Sequence, residues 1–150
     1  MGLSIIHLSD VHIKGKEDAV FNKIKALKSA CTGAIVSGSQ VVIAITGDVA
    51  FSGKIEQYEL AKQMIEELAK YIKDQTLSEV SIVCVPGNHD CDFAKESNVR
   101  SALVSSVKPE SLDGNYYNMV CGVQENYNVF ASAFDLETGC VLPTKTIQIE

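Results

Sequence analysis

The most constraining feature of this chain is a nearly continuous apolar, β-branched run at residues 40–46, QVVIAIT. Such a run is typical of an interior strand of a parallel sheet that is covered on both faces. Shorter apolar runs at residues 4–8 and 80–85 predict two further strands. Apolar residues three or four positions apart predict helices over residues 17–31 and 55–73. The order β-α-β-α-β, with short connections, predicts an α/β fold with a mostly parallel sheet and right-handed crossovers.

The pattern is weaker after Asp90. We expect residues 92–117 to be loop with some helix, because Pro109, Gly114 and Asn115 interrupt a poor periodicity. Apolar residues spaced from Val123 to Phe134 predict another helix, and the alternation at residues 144–150 predicts a strand.

The bulk composition fits a single domain over residues 1–150, with 46 % hydrophobic and 21 % charged residues. A net charge of −6 argues against a broad electrostatic contact with nucleic acid or an anionic membrane. No apolar run approaches the roughly 20 residues of a membrane span, and no cationic segment precedes the apolar start. Five cysteines without a CxxC pair indicate free thiols, so we expect a cytoplasmic protein.

Polar side chains follow all three predicted strands, at the point where each strand ends. These side chains, which can bind a metal or transfer a proton, are Asp10, His12, Asp48, Asn88, His89 and Asp90. Ligands of an open parallel sheet bind outside the carboxyl ends of its strands. Gly47 and Gly87 allow the backbone to turn sharply where the second and third groups begin. We therefore expect the six side chains to meet at one edge of the sheet.

The residue types at this edge suit metal chemistry. Asp10 and His12 are separated by one residue, so in an extended stretch both side chains point to the same side. A carboxylate and an imidazole together favour zinc, iron or manganese. Asp48 has two oxygens that can bridge two ions, and Asn88 offers a neutral oxygen ligand. Two ions roughly 3.5–4 Å apart can activate a water and neutralise phosphoryl oxygens.

At these positions the chain resembles the calcineurin-like metallophosphoesterases, whose first signatures read D-x-H, G-D and G-N-H-D or G-N-H-E. The matching residues are 10–12, 47–48 and 87–90. The resemblance covers residues 3–92, whereas residues 93–150 carry no signature of the family. It implies a layered α-β-β-α sandwich, of which this chain would form the N-terminal β-α-β-α-β half.

The resemblance also implies a function and a set of metal ligands. The function would be hydrolysis of phosphomonoesters or phosphodiesters by hydroxide bound to two divalent ions, such as manganese, iron or zinc. Asp10 and His12 would bind the first ion, Asp48 would bridge both, and Asn88 would bind the second.

The resemblance implies catalytic roles for the last two residues of the third signature. His89 would face the substrate, where it would stabilise phosphoryl oxygens or protonate the leaving oxygen. Asp90 would accept a hydrogen bond from the other ring nitrogen of His89 and fix the orientation of the ring.

The chain departs from the family in its histidines. Members usually add a lone histidine and a later G-H-x-H, but this sequence contains only His7, His12 and His89. We therefore expect a C-terminally truncated domain that is inactive alone, and that self-associates or depends on a missing C-terminal half.

Other interpretations stay open at the level of sequence. Asp48 could cap a turn, Asn88 could be a turn residue, and His7 could be a hydrogen-bonded core histidine. A catalytically incomplete module for binding or regulation would carry the same signatures. So would a nuclease, and nucleic acid is not excluded as a partner, because a basic domain could lie elsewhere in a longer protein. Two bound ions per chain would favour the enzyme over the binding module.

Overall fold

The computed structural model describes residues 2–107 and 113–134. Five elements form its first part, and the predicted β-α-β-α-β order is confirmed. They are β1 (Leu3–Ser9), α1 (Ala19–Ala34), β2 (Gln40–Thr46), α2 (Ile55–Thr76) and β3 (Glu79–Val85).

Local capping sets the ends of both helices. α1 begins two residues later than predicted because the Asp18 side chain accepts a hydrogen bond from the Val20 N–H at 3.2 Å. α2 extends beyond the predicted residue 73 to Thr76. Its C-cap is Leu77, whose left-handed backbone, with φ of 56°, directs its N–H to the carbonyl of Lys73.

The sheet has the strand order β1-β2-β3, and both pairings are parallel. β2 is therefore the central strand, as its β-branched run predicted. On one face of β2 the side chains of Val41, Ile43 and Ile45 are buried. They belong to one hydrophobic core with α2 residues such as Ile65 and Leu68. Because α1 and α2 also pack against each other, the helices cover one face of the sheet.

The opposite face of the sheet is open in the described part of the chain. Leu3, Ile5 and Val85 are 44 %, 65 % and 40 % exposed there, and Val42 in the central strand is only half-buried. Residues 2–107 and 113–134 therefore supply only one of the two covered faces that were predicted for β2. The described residues form no second sheet of the kind that a four-layered sandwich requires.

The second part of the chain is helical. Its described residues form two short 3₁₀ segments and three helices: Phe93–Lys95, α3 (Asn98–Ser105), α4 (Gly114–Val120), Cys121–Gln124 and α5 (Glu125–Ser132). The helix predicted between Val123 and Phe134 is confirmed as α5, and residues 93–107 contain more helix than expected. The strand predicted at residues 144–150 lies outside the described residues.

α5 packs on α2 through aromatic rings. Tyr58 lies with its ring centroid 6.2 Å from that of Tyr127 and 5.1 Å from that of Phe130. These aromatics form core, as their helical spacing suggested. Among the described helices, none combines the length and apolar character needed to cross a membrane.

Candidate metal centre

Backbone hydrogen bonds join the loops at the carboxyl edge of the sheet. Beyond the ends of β1 and β2, His12 N–H donates to the Asp48 carbonyl at 2.8 Å and Ile13 N–H donates to the Val49 carbonyl at 3.0 Å. On the other side, Gly47 N–H donates to the carbonyl of Val85 at 2.9 Å. The three loops that carry the predicted site residues are therefore neighbours, as the parallel topology predicted.

Three of the predicted metal ligands have an unusual backbone conformation. Asp10, His12 and Asp48 have φ of 53°, 51° and 50°, in the left-handed region. For residues other than glycine this region costs roughly 1–2 kcal/mol. In the described chain the other such residue is Leu77, at a helix end. Strain of this kind occurs where a site requires a particular side-chain direction.

The side chains of these three residues converge. The Nε2 atom of His12 lies 3.9 Å from Oδ1 of Asp10 and 3.9 Å from Oδ2 of Asp48. Both distances are too long for hydrogen bonds. The reasoning from an extended Asp10–His12 stretch is wrong, because both residues are left-handed, but the two side chains do lie on the same side.

Asp48 also contacts the loop after β3. Its Oδ1 accepts a hydrogen bond from the His89 N–H at 2.8 Å, and its side chain is 13 % exposed. A Cβ atom at position 87 would overlap this carboxylate. Gly87 is therefore needed for a close approach of the two loops, whereas Gly47, with φ of 79°, provides the turn.

A backbone carbonyl fixes the ring of His89. Nδ1 of His89 lies 2.8 Å from the carbonyl oxygen of Phe51. A carbonyl oxygen can only accept, so Nδ1 carries the hydrogen and Nε2 is available to the site. The ring also lies 4.7 Å from the ring of His12, at an interplanar angle of 89°. The prediction that Asp90 orients this ring is wrong, since Phe51 provides the partner.

The Asp90 carboxylate is instead fully buried and accepts hydrogen bonds from the surrounding loops. Its donors are the N–H groups of Val49 (3.2 Å), Ala50 (2.9 Å) and Gly87 (2.9 Å) and the hydroxyl of Tyr58 (2.9 Å). Burial, followed by the nearby Asp90 charge, raises the pKa of Tyr58 well above its usual value, so the hydroxyl remains a donor. Asp90 thus joins the loops after β2 and β3 to α2.

Residues 3–146 match the sequence profile of a family described as calcineurin-like phosphoesterase. The chain belongs to this family. The match continues past residue 92, where no signature was evident in the sequence. The chain is also similar to "Probable glycerophosphodiester phosphodiesterase GpdQ" of Arcobacter nitrofigilis, with 27 % identity over 152 residues. The alignment covers 84 % of this chain and 52 % of that relative, so the chain spans about half the length of the relative.

Calcineurin-like phosphoesterases depend on metal ions, and the geometry fits a cation. Potential ligand atoms of His12, Asp48 and His89 all lie within 4.8 Å of one another. Nδ1 of His12 is buried and has no hydrogen-bond partner among the described residues, which is costly for a polar atom. One carboxylate with two imidazoles is a suitable donor set.

The last of the predicted ligands, Asn88, lies at the rim of the site. Asn88 is exposed and borders the same cleft as His89. His7 makes a 2.6 Å hydrogen bond to the Thr46 hydroxyl, so the predicted hydrogen bond is confirmed. The side chain is exposed on the open face of the sheet, so the predicted core position is wrong. Sequence reasoning missed Phe51 and Tyr58, because the first acts through its carbonyl and the second was placed in the apolar stripe of α2.

Proposed function

We propose that this chain forms the metal-binding part of a phosphoesterase that hydrolyses phosphomonoesters or phosphodiesters. The observation that supports this most strongly is that the three residues with a strained backbone are also the ones whose side chains converge. Asp10, His12 and Asp48 share a left-handed backbone, and their side-chain atoms meet at 3.9 Å without hydrogen-bonding one another. Such an arrangement has a physical reason if a cation binds between them.

In this proposal two divalent cations such as manganese, iron or zinc would, when bound, activate a water and neutralise phosphoryl charge. Asp10 and His12 would bind one cation, and Asn88 the other. Asp48 would bind both, since only one of its oxygens accepts a hydrogen bond from the loop after β3.

His89 would act on the substrate. Its Nδ1–H is engaged by the Phe51 carbonyl, so Nε2 can donate to a phosphoryl oxygen or to the leaving oxygen when the ring is protonated. Potential ligand atoms of His89, His12 and Asp48 all lie within 4.8 Å of one another, so cation binding is a second possible role for His89. The metal content of His89→Gln distinguishes the two roles.

Asp90 would be a positioning residue rather than a catalytic one. Its carboxylate bonds to the loop that carries Asp48 and to Gly87, the residue before Asn88. It therefore fixes the relative position of the proposed ligands without contacting a cation itself.

The ligand set within this chain is small. Asp10, His12, Asp48 and Asn88 give each of two cations only two or three protein ligands. We propose that further ligands come from residues outside this set, and that the chain by itself has low activity. The open sheet face with Ile5 fits the same proposal, because it would be covered by another part of a longer protein or by self-association.

The chain alone can be tested for activity directly. We expect no turnover of bis(p-nitrophenyl) phosphate or p-nitrophenyl phosphate above the background of Asp48→Ala when excess manganese is present. Robust turnover that Asp48→Ala abolishes would refute the proposed low activity and would mean that this chain completes its own site.

Metal content tests the bridging role of Asp48. In the full-length gene product, Asp48→Asn should reduce bound manganese far more than Asp90→Asn, because the bridge loses charge at both cations. Asp113→Asn, at an exposed helix cap, is the matched control and should retain the wild-type content. Equal occupancy in all three variants, measured by elemental analysis of folded protein, would refute the bridging role. One cation or none per wild-type chain would favour the binding module.

A further inference from the structure

A cleft of about 290 Å³ lies beside the candidate metal centre. Asn88 and His89 border it on the side of the proposed metal ligands, and Phe51 and Phe93 border it elsewhere. Its volume is at the lower end of small-molecule sites, so it suits a group the size of one or two rings. We call it the aromatic cleft.

Two phenyl rings give the aromatic cleft its character. Phe51 and Phe93 are 41 % and 57 % exposed. The Phe51 ring lies 5.5 Å from the His89 ring, with an interplanar angle of 33°. Single exposed apolar residues are ordinary on a protein surface. The Lys14 ammonium lies over the Phe51 ring, 4.4 Å from its centroid, and the Arg100 guanidinium lies over the Phe93 ring, 5.8 Å from its centroid. Each ring keeps its other face, and together these two faces form a surface on which a planar group can stack.

The charged residues of the aromatic cleft neutralise each other. Lys54 Nζ lies 2.5 Å from Oδ1 of Asp92. The hydrogen bond from Lys54 lowers the pKa of Asp92, so this carboxylate stays ionised at neutral pH. The Lys54 ammonium is therefore already paired with a carboxylate. A second negative charge on the substrate would gain little net attraction from the residues that line the cleft.

The wall that carries Phe93 is attached to the loops of the site. Asp92 N–H donates to the Val123 carbonyl at 2.7 Å, and the Asn126 amide donates to the Gly53 carbonyl at 2.8 Å. Gly53 permits this close packing, because a Cβ there would overlap the backbone of Cys91. The helical part of the chain thus forms one side of a cleft whose other side is the loop after β2.

We propose that the aromatic cleft is a specificity subsite that stacks a planar, uncharged aromatic group of the phosphate ester, with Phe93 as its main determinant. This inference rests on the proposed phosphoesterase function and adds a substrate class to it. The phosphoryl group would lie at the metal centre, and the aromatic alcohol or nucleobase-like group would lie between Phe51 and Phe93.

Non-hydrolysable phosphonates test the subsite through binding rather than turnover. The protein is the full-length gene product loaded with manganese, and titration calorimetry gives the dissociation constants of three probes. Methylphosphonate lacks a ring, phenylphosphonate has a planar one, and phosphonoacetate carries a second negative charge. We expect phenylphosphonate to bind about tenfold more tightly than methylphosphonate, as for one stacked ring, and phosphonoacetate to gain nothing.

Phe93→Ala should remove most of the phenylphosphonate advantage and leave the methylphosphonate constant within about twofold, whereas Phe93→Tyr should retain the advantage. Met119→Ala, which truncates another large exposed apolar side chain, is the control and should change neither constant. If Phe93→Ala does not fold, Phe93→Leu, which keeps an apolar side chain but removes the ring, provides the same test.

The outcomes separate the two proposals. Equal binding of phenylphosphonate and methylphosphonate, tighter binding of phosphonoacetate than of phenylphosphonate, or an unchanged advantage in Phe93→Ala would overturn the subsite alone. Failure of all three phosphonates to bind the manganese-loaded protein would overturn the phosphoesterase proposal and the subsite with it.

Discussion

The loops after β2 and β3 each carry an aspartate, and the two carboxylates have opposite surroundings. One oxygen of Asp48 accepts a single backbone hydrogen bond, and the other lies 3.9 Å from His12. Asp90 is fully buried, and its two oxygens accept four hydrogen bonds. A carboxylate with unused lone pairs can bind a cation, whereas one whose lone pairs are satisfied fixes the structure.

The backbone shows the same difference. Asp48 occupies a left-handed conformation, and Asp90 does not belong to the residues with positive φ. The loop after β2 thus has a strained backbone at the proposed ligand Asp48, and the loop after β3 stabilises that arrangement through the buried Asp90 carboxylate. Strain at a site is compensated by the structure around it.

The largest expected effect is on stability. Asp90→Ala leaves the Tyr58 hydroxyl and three backbone N–H groups without their acceptor, at about 1–3 kcal/mol each when buried. We expect a loss of at least about 4 kcal/mol in the free energy of unfolding, measured by urea denaturation without metal. Asp48→Ala removes one hydrogen bond and should cost less than about 1.5 kcal/mol. Similar losses in the two variants would contradict the contrast between the carboxylates.

The next effect is on turnover. The His89 N–H donates to the Asp48 carboxylate, and the His89 ring is held by the Phe51 carbonyl. Because we propose that this ring transfers a proton, His89→Gln should lower the turnover of the full-length protein by roughly 10²–10⁴-fold. Metal content should remain near the wild-type value, because Asp10, His12, Asp48 and Asn88 are retained. Elemental analysis beside the kinetic assay decides the role, and loss of metal in this variant would make His89 a ligand.

A smaller effect concerns the close approach of the loops. In Gly87→Ala the new methyl group meets the Asp48 carboxylate, so we expect a loss of about 1–3 kcal/mol and weaker manganese binding. Gly33→Ala is the matched control, since its Cβ would meet nothing within 4 Å and lies inside α1. It should stabilise the protein by about 0.5–1 kcal/mol. A tolerated Gly87→Ala with unchanged metal affinity would show that the approach is not required.

The smallest expected effect is on the stability of the protein at alkaline pH. The raised pKa of Tyr58 means that, above its unfolded value of about 10, the folded state keeps a proton that the unfolded state has lost. Stability from this group is therefore complete below pH 10 and falls as pH rises further. Tyr58→Phe should cost about 1–2 kcal/mol at pH 7 and reduce the alkaline slope of stability. Tyr127→Phe is the control for the change in slope, because burial also raises the pKa of Tyr127 above its usual value. An unchanged slope in Tyr58→Phe would argue against a protonated hydroxyl bound to Asp90.

The central position of β2 and the common edge of the proposed ligands could be predicted because both depend on local pattern. An apolar run as long as residues 40–46 leaves few alternatives to a central parallel strand. Once the strands are parallel, Asp10, Asp48 and Asn88 must lie at the same edge. These predictions needed no knowledge of how any side chain was oriented.

The contacts of Asp90 and His89 could not be predicted in the same way. Adjacent residues were expected to pair, but the bend after β3 directs the Asp90 carboxylate into the protein and the His89 ring towards Phe51. Backbone donors such as Val49 N–H and carbonyls such as that of Phe51 carry no sequence signal. The open sheet face was missed for a related reason, since the run at residues 40–46 does not show how much of each face is covered.

The buried Asp90 carboxylate has a consequence for motion. The amide protons of Val49 and Ala50 are bound to this carboxylate, and they can exchange with solvent only when the contact between the two loops opens. Gly87 N–H depends on the same opening. In a deuterium-exchange experiment these three amides should therefore share one protection factor, far above that of the exposed residues Lys16 and Glu17. The edge that carries the proposed ligands would open as one cooperative unit, on the timescale of sub-global unfolding, rather than loop by loop.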